Sequence, residues 1–129
     1  MNFLRFLLWL ITGRPPTPRP RRIQLRRSKG WRMPENCVKV DRSTRWGNPF
    51  KAGPQMSPEA VTRLYETWIR SELNFDMEKI IGHQGAMPDE RMRPTISEIR
   101  RELRGKHLGC WCPIGAPCHA DVLLKISNG

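Results

Sequence analysis

Three cysteines near the carboxyl terminus constrain this chain more than any other feature. Cys110, Cys112 and Cys118 fall within nine positions, and His119 follows the third cysteine directly. A Cys-x-Cys pair is too short to close an unstrained disulfide with itself. Free or metal-bound thiols, as found in a reducing compartment, are therefore expected, and we predict a cytoplasmic protein.

The residues around these cysteines predict a strand, a loop and a helix. Residues 106–112 alternate with a period of two, which places Cys110 and Cys112 on the same face of a strand. A loop rich in proline and glycine follows. Cys118 and His119 then begin a short helix, whose start is expected to face the loop at residues 46–50.

Three chemical interpretations of the cluster remain open. In the first, one Zn²⁺ ion is bound by three thiolates and an imidazole, a suitable tetrahedral set. The predicted ligands are Cys110, Cys112, Cys118 and His119, with Cys37 as an alternative to the histidine. In the second, Cys118 is a catalytic thiolate activated by the helix dipole, with His119 as its base and Asp121 as an acid or base group. In the third, the cysteines only pack as small buried residues.

A second strand is predicted at residues 37–41, where valines alternate with other residues. The loop after it contains several side chains of the types that bind ligands, and Gly47-Asn48-Pro49 is a turn signal. Loops that follow strands in α/β proteins often contact ligands. The candidate ligand-binding residues are Arg42, Ser43, Arg45, Trp46 and Asn48.

Two further helices have clear start signals. Ser57 fits an N-cap before a proline, and Thr95 fits a capping box with the glutamate three positions later. The order strand, helix, helix, strand, helix predicts a small single α/β domain with a short parallel sheet flanked by helices. A third strand is expected either near residues 23–25 or near residue 80.

The first 35 residues differ in composition from the rest. Nine of the 23 Lys and Arg precede residue 33 and none of the 12 Asp and Glu does, so most of the net charge of +11 belongs to this leader. We expect residues 1–35 to be a basic, proline-rich leader, disordered or interfacial, and residues 36–129 to be the folded domain. The apolar run at residues 3–11 is much shorter than the about 20 residues that span a bilayer, so no transmembrane segment is predicted.

The leader is also the candidate site for a polyanionic partner. Residues 14–32 can bind nucleic acid through their positive charge, or help residues 3–11 to bind a membrane surface. The rest of the chain, residues 33–129, is nearly balanced in charge, with fourteen Lys and Arg against twelve Asp and Glu. It therefore gives little electrostatic reason to bind a polyanion.

Two blocks of sequence resemble a known family. They are Trp46-Gly-Asn-Pro-Phe50, and Leu108-Gly-Cys-Trp-Cys112 followed by Cys118-His-Ala-Asp-Val-Leu123. Together they resemble the uncharacterised domain-of-unknown-function 4326 family, which is found in bacteria and in many phages. The resemblance covers about Val38 to Asn128. It implies that both blocks belong to one pocket, and it supplies no activity.

These patterns predict a small α/β domain with one polar pocket between the 42–50 loop and the turn from Cys110 to Asp121. The expected ligand is nucleotide-like or another small anion, and Zn²⁺ is the candidate cofactor. The alternative is a non-enzymatic accessory protein that binds nucleic acid or a membrane surface through its leader, with structural cysteines. Whether the protein is an enzyme stays open.

Overall fold

The computed structural model describes residues 3–13, 19–72 and 88–129. A three-stranded parallel sheet lies at the centre of the domain. Its strands are β1 (Arg22–Gln24), β2 (Cys37–Lys39) and β3 (His107–Cys110). The described α-helices are α1 (Phe3–Thr12), α2 (Pro58–Ile69), α3 (Ile96–Leu103) and α4 (His119–Asn128), and a 3-10 helix spans Glu90–Met92. The predicted α/β fold class is confirmed.

β3 is the central strand and lies between β1 and β2. All four of its residues are buried, as is typical of a central strand in a parallel sheet. Leu108 is level with Arg22 on one side and with Val38 on the other. The backbone N–H of Val40 donates to the Gly109 carbonyl oxygen at 2.8 Å, one residue beyond β2. Because the strands are parallel, their carboxyl ends meet at one edge of the sheet.

β1 corrects the expected domain boundary. The sheet includes Arg22–Gln24, and the N–H of Leu25 donates to the Cys110 carbonyl oxygen at 2.9 Å. The folded domain therefore begins before residue 36, and the third strand is at the first of its two expected places. A strand of three residues between arginines is too short to give a periodic pattern, so the sequence pattern alone does not reveal β1. The other expected place, near residue 80, lies outside the described residues.

α2 and α3 begin at the predicted caps. The Ser57 side chain accepts a hydrogen bond from the N–H of Ala60 at 3.1 Å, and Thr95 with Glu98 forms a capping box. α4 packs against β1 and β3, and α2 and α3 pack against α4. The largest fully buried apolar side chains of the resulting core are Phe50, Tyr65, Ile99, Leu103, Leu108 and Leu123.

Residues 3–12 form α1, and none of its side chains is buried. This differs from a disordered leader, because the run is rich in leucine, a strong helix former. The predicted proline-rich linker falls partly outside the described residues, which exclude Pro15, Pro16 and Pro18. No described helix combines the length and the apolar character needed to cross a membrane.

Candidate functional site

Three cysteine sulfurs converge at the carboxyl edge of the sheet. β3 ends at Cys110, the chain bends at Cys112, and Cys118 is the N-cap of α4. The three Sγ atoms lie within 4.8 Å of one another, and those of Cys110 and Cys112 are 3.8 Å apart. Cys110 and Cys118 are buried and Cys112 is half-buried. This group is able to hold one metal ion.

The bend at Cys112 differs from the predicted strand over residues 106–112. The last ladder bond on the β1 side reaches the Cys110 carbonyl oxygen, and β2 pairs only as far as Gly109. β3 therefore ends where its neighbours end. The bend turns Cys112 back toward Cys110. The two sulfurs are therefore close because of this bend, and not because both residues lie on one face of a continuous strand.

Cys118 is the most acidic thiol of the cluster. The hydrogen bond with the Cys110 thiol, the interaction with His119 and the hydrogen bond from the Ala120 N–H lower the pKa of Cys118 and outweigh the opposing effect of burial. The hydrogen bond with Cys118 and burial raise the pKa of Cys110, and burial and Cys118 raise the pKa of Cys112. Without a metal, the cluster therefore favours one thiolate and two thiols at neutral pH.

Arg22 places a positive charge next to the cluster. Its side chain is 7 % exposed, and its Nη2 donates to the Pro113 carbonyl oxygen at 2.9 Å. Its Nη1 is buried and has no hydrogen-bond partner, although the Asp121 carboxylate lies 3.7 Å away. Burial lowers the pKa of Arg22, but its interactions with Cys118 and Asp121 outweigh that effect and raise it. The guanidinium therefore stabilises negative charge on the sulfurs.

His119 lies beside the cluster but outside the group of close sulfurs. Its Nε2 is 2.6 Å from the Val40 carbonyl oxygen. A carbonyl only accepts hydrogen bonds, so Nε2 carries the proton and donates. Its Nδ1 is 3.7 Å from the Cys118 sulfur, and its ring meets that of Tyr65 edge to face at 5.3 Å. The structure thus groups three of the four predicted metal ligands and leaves His119 out.

Cys37, the alternative fourth ligand, lies elsewhere. A side chain at Gly109 would contact the Cys37 sulfur at 3.5 Å. Strand side chains alternate between faces, so this is the face of β3 opposite Cys110. Burial raises the pKa of Cys37 and favours its neutral thiol.

A cavity of about 280 Å³ opens beside the three sulfurs. The loop after β2 and the turn after β3 form its wall, because both follow the carboxyl ends of parallel strands. The lining residues are Cys110, Cys112, Cys118, His119, Asp41, Arg42, Asn48, Thr62, Trp111 and Pro117.

Asp41 and Trp111 join the two loops of this wall. The Trp111 Nε1 donates to Asp41 at 2.8 Å, and the Ser43 hydroxyl donates to the same carboxylate at 2.6 Å. Burial opposes ionisation, but the hydrogen bonds from Ser43 and Trp111 and the charge of Lys39 hold the pKa of Asp41 below its ordinary value. Neither Asp41 nor Trp111 was among the predicted site residues. The sequence does contain a signal for Asp41, because it is an acidic residue at the end of a predicted strand.

Arg42 and Asn48, two of the predicted ligand-binding residues, line the cavity. Arg42 donates to the carbonyl oxygens of Asn48 and Phe50 at 2.8 and 3.0 Å. Asn48 donates to the Val61 carbonyl oxygen at 3.1 Å and accepts from the Phe50 N–H at 2.9 Å. Both residues therefore also fix the shape of the loop.

The other three predicted ligand-binding residues, Ser43, Arg45 and Trp46, do not line this cavity. Arg45 forms an ion pair with Glu98 and stacks over the Trp46 ring at 4.7 Å. Trp46 belongs to the core, and its carbonyl oxygen accepts a hydrogen bond from the Tyr65 hydroxyl at 2.8 Å. Arg45 instead lines a separate cavity of about 450 Å³ that also borders the loop.

Asp121, the predicted acid or base group, is also absent from the lining of the cysteine cavity. It lies at a separate opening with Arg22 and the loop before α4. Its side chain is 55 % exposed. Burial and the Cys118 charge raise the pKa of Asp121 against the opposing charges of Arg22 and His119. The structure therefore pairs Asp121 with Arg22 on another side of the cluster.

A domain of unknown function, DUF4326, matches residues 23–129. The match begins inside β1 and includes the 41–50 loop, the three clustered cysteines and His119. No curated protein and no solved structure gives a significant match to the chain. The resemblance found in the two sequence blocks is confirmed.

Proposed function

The chain belongs to the domain-of-unknown-function family DUF4326, and on this premise we propose that it is a zinc-thiolate protein with a ligand cavity. Cys110, Cys112 and Cys118 hold the ion, and the fourth coordination position is open to a ligand or a water molecule. The main support is the convergence of three Sγ atoms within 4.8 Å in the wall of a cavity.

The spacing of the sulfurs supports zinc. Tetrahedral zinc has Zn–S bonds of about 2.3 Å, so its sulfur ligands lie about 3.8 Å apart. The Cys110 and Cys112 sulfurs are 3.8 Å apart, and the Cys118 sulfur is within 4.8 Å of both. Small side-chain rotations bring all three to the tetrahedral distance.

The charges near the cluster also support a metal-thiolate centre. Zinc binding requires all three cysteines to be deprotonated, which the two charges of the ion make favourable. Three thiolates and one Zn²⁺ leave one net negative charge. Arg22, whose side chain is 7 % exposed and whose Nη1 has no hydrogen-bond partner, is placed to balance it.

The open position follows from the ligand count. Structural zinc sites are usually closed by four protein ligands, whereas sites that bind substrates keep one position free. Among the described residues, the group of close ligands contains only the three cysteines. All three line the cavity, so the free position faces it. The ion would act there as a Lewis acid toward an oxygen or anionic group.

We propose a small nucleotide-like ligand or another small anion for this cavity. Trp111 supplies an aromatic surface and is 38 % exposed, and Arg42 supplies a positive charge. The Asp41 carboxylate in the same wall favours a ligand with a hydrogen-bond donor and disfavours a polyanion. A volume of about 280 Å³ lies just below the usual range for drug-sized ligands and suits a nucleobase or nucleoside-sized group.

Cobalt(II) substitution tests this proposal. Co²⁺ titrated into metal-free protein should give one equivalent of a tetrahedral spectrum with thiolate charge-transfer bands. Cys110→Ser should weaken those bands, and adenosine monophosphate as a probe should shift the visible bands if it reaches the open position. A spectrum without thiolate bands would rule out the cysteine site, and unchanged bands with saturating probe would rule out that probe as a ligand of the ion.

A second candidate function uses Cys118 as a nucleophile without a metal. It is favoured by the 3.7 Å distance between the Cys118 sulfur and His119 Nδ1, and by the lowered pKa of that thiol. Iodoacetamide distinguishes the two. A nucleophilic Cys118 should be alkylated first in protein as purified, whereas a zinc-bound cluster should be protected until a chelator removes the ion.

A further inference from the structure

α1 presents an apolar surface to solvent. Eight of its ten residues are apolar and none is buried. Phe3 and Leu4 are each 72 % exposed and Ile11 is 79 % exposed. Phe6 and Trp9 meet edge to face at 5.7 Å and still remain exposed. An isolated helix of this length is marginal in water, and an apolar face normally gains its stability by packing.

The segment after α1 has a strong positive charge. No acidic residue precedes Glu35. The exposed cations of its described part are Arg19, Arg21, Arg26, Arg27, Lys29 and Arg32. They lie before and after β1, so the sheet holds part of this charge close to the folded domain.

We propose that α1 and these six cations together dock the protein on an anionic lipid bilayer. A helix of ten residues is about 15 Å long, half of the hydrocarbon thickness, so α1 lies in one interface and does not span. Apolar side chains enter the boundary between headgroups and acyl chains, and Trp9 suits that depth. The cations meet the anionic headgroups.

The apolar helix and the positive charge together favour a bilayer over other partners. Nucleic acid would use the cations but would leave the apolar side chains of α1 in water. A second copy of the chain could cover α1 but would bring two basic segments together. An anionic bilayer accounts for both the apolar helix and the charge. α1 also lies outside the stretch that matches the family.

Vesicle cosedimentation of the full chain tests this proposal. Binding to phosphatidylcholine vesicles that contain about one third phosphatidylglycerol should be at least about tenfold tighter than binding to pure phosphatidylcholine, and salt should weaken it. The double change Leu7→Glu and Trp9→Glu should weaken binding about tenfold or more. The triple change Arg26→Gln, Lys29→Gln and Arg32→Gln should remove the preference for anionic vesicles.

Met92→Glu is the matched control, because Met92 is an exposed apolar residue far from α1 in sequence. It should bind vesicles like the wild type. No side chain of α1 is buried, so the α1 variant should keep the thermal unfolding midpoint of the domain. Equal binding to neutral and anionic vesicles would overturn the proposal. The proposal would also be overturned if the protein bound duplex DNA but not vesicles. The same holds if the protein formed a dimer through α1 and did not bind vesicles.

Discussion

The Nε2 of His119 lies 2.6 Å from the carbonyl oxygen of Val40. This bond joins the first residue of α4 to the residue after β2, and both side chains are buried. The ring is therefore oriented by the sheet, and its Nδ1 is left facing the Cys118 sulfur at 3.7 Å. On the proposed function, a histidine held in this way orients the Cys118 side chain and leaves the three sulfurs as the metal ligands.

His119→Ala should destabilise the fold and leave the metal content unchanged. The change leaves a buried carbonyl oxygen without its donor and opens space beside Tyr65. The expected loss is about 2–4 kcal/mol in the free energy of unfolding. Urea unfolding of the zinc-loaded protein measures the loss, and elemental analysis measures the zinc. A variant that folds but contains no zinc would make His119 a ligand after all.

Gly47→Ala should damage the cavity wall. A Cβ at this position would lie 2.6 Å from Arg42 Cα and 2.8 Å from the Asp41 carbonyl oxygen, so backbone would have to move. Overpacking of this kind costs about 1–3 kcal/mol. Gly53→Ala is the control, because nothing lies within 4 Å of its new Cβ. Thermal unfolding of both variants should give a lower midpoint for Gly47→Ala than for Gly53→Ala. Equal midpoints would contradict the close approach of backbone atoms at Gly47.

Asp41→Asn should remove a pH-dependent part of the stability. Hydrogen bonds hold the pKa of Asp41 below its unfolded value of about 3.9, so its contribution is full above that pH and is lost as pH falls through the folded pKa. At pH 6, urea unfolding should give the wild type a free energy of unfolding that is about 1–2 kcal/mol larger than that of Asp41→Asn. This difference should shrink below about pH 4. Glu72→Gln, an exposed carboxylate outside the site, controls for net charge. A gap that widens toward acid would contradict the direction of this shift.

Arg22→Gln should weaken zinc binding without unfolding the domain. The cation interacts with Cys118, and removal of such an outer partner costs about 10–100-fold in metal affinity. Competition with a chromogenic chelator measures the affinity. Arg19→Gln, an exposed arginine outside the cluster, should bind zinc like the wild type. Equal affinity in both variants would leave Arg22 without a role at the metal.

Local signals explain what could be predicted from the sequence. The caps at Ser57 and Thr95 act within one helical turn, so both helix starts were found. The clustered cysteines could be recognised for the same reason, since they are only a few positions apart. The position of Arg42 and Asn48 in the cavity lining could be predicted because they occupy a loop directly after a predicted strand.

Long-range contacts explain what could not be predicted. The sequence predicts His119 as a metal ligand because it follows Cys118, whereas its Nε2 donates to a backbone carbonyl oxygen 79 positions earlier, a contact that no local pattern indicates. Trp111 and Asp41 meet across 70 positions. Arg22 reaches the cluster only because β1 pairs with β3, and a three-residue strand gives no periodic signal.

The metal content of the purified protein tests the central claim most directly. Protein produced without added zinc is desalted and analysed by inductively coupled plasma mass spectrometry, together with single Cys→Ser variants. The account predicts one zinc ion per chain in the wild type and in Cys37→Ser, and loss of zinc in Cys110→Ser, Cys112→Ser and Cys118→Ser. A wild type without stoichiometric metal, or zinc that is lost from Cys37→Ser and retained in Cys118→Ser, would contradict it.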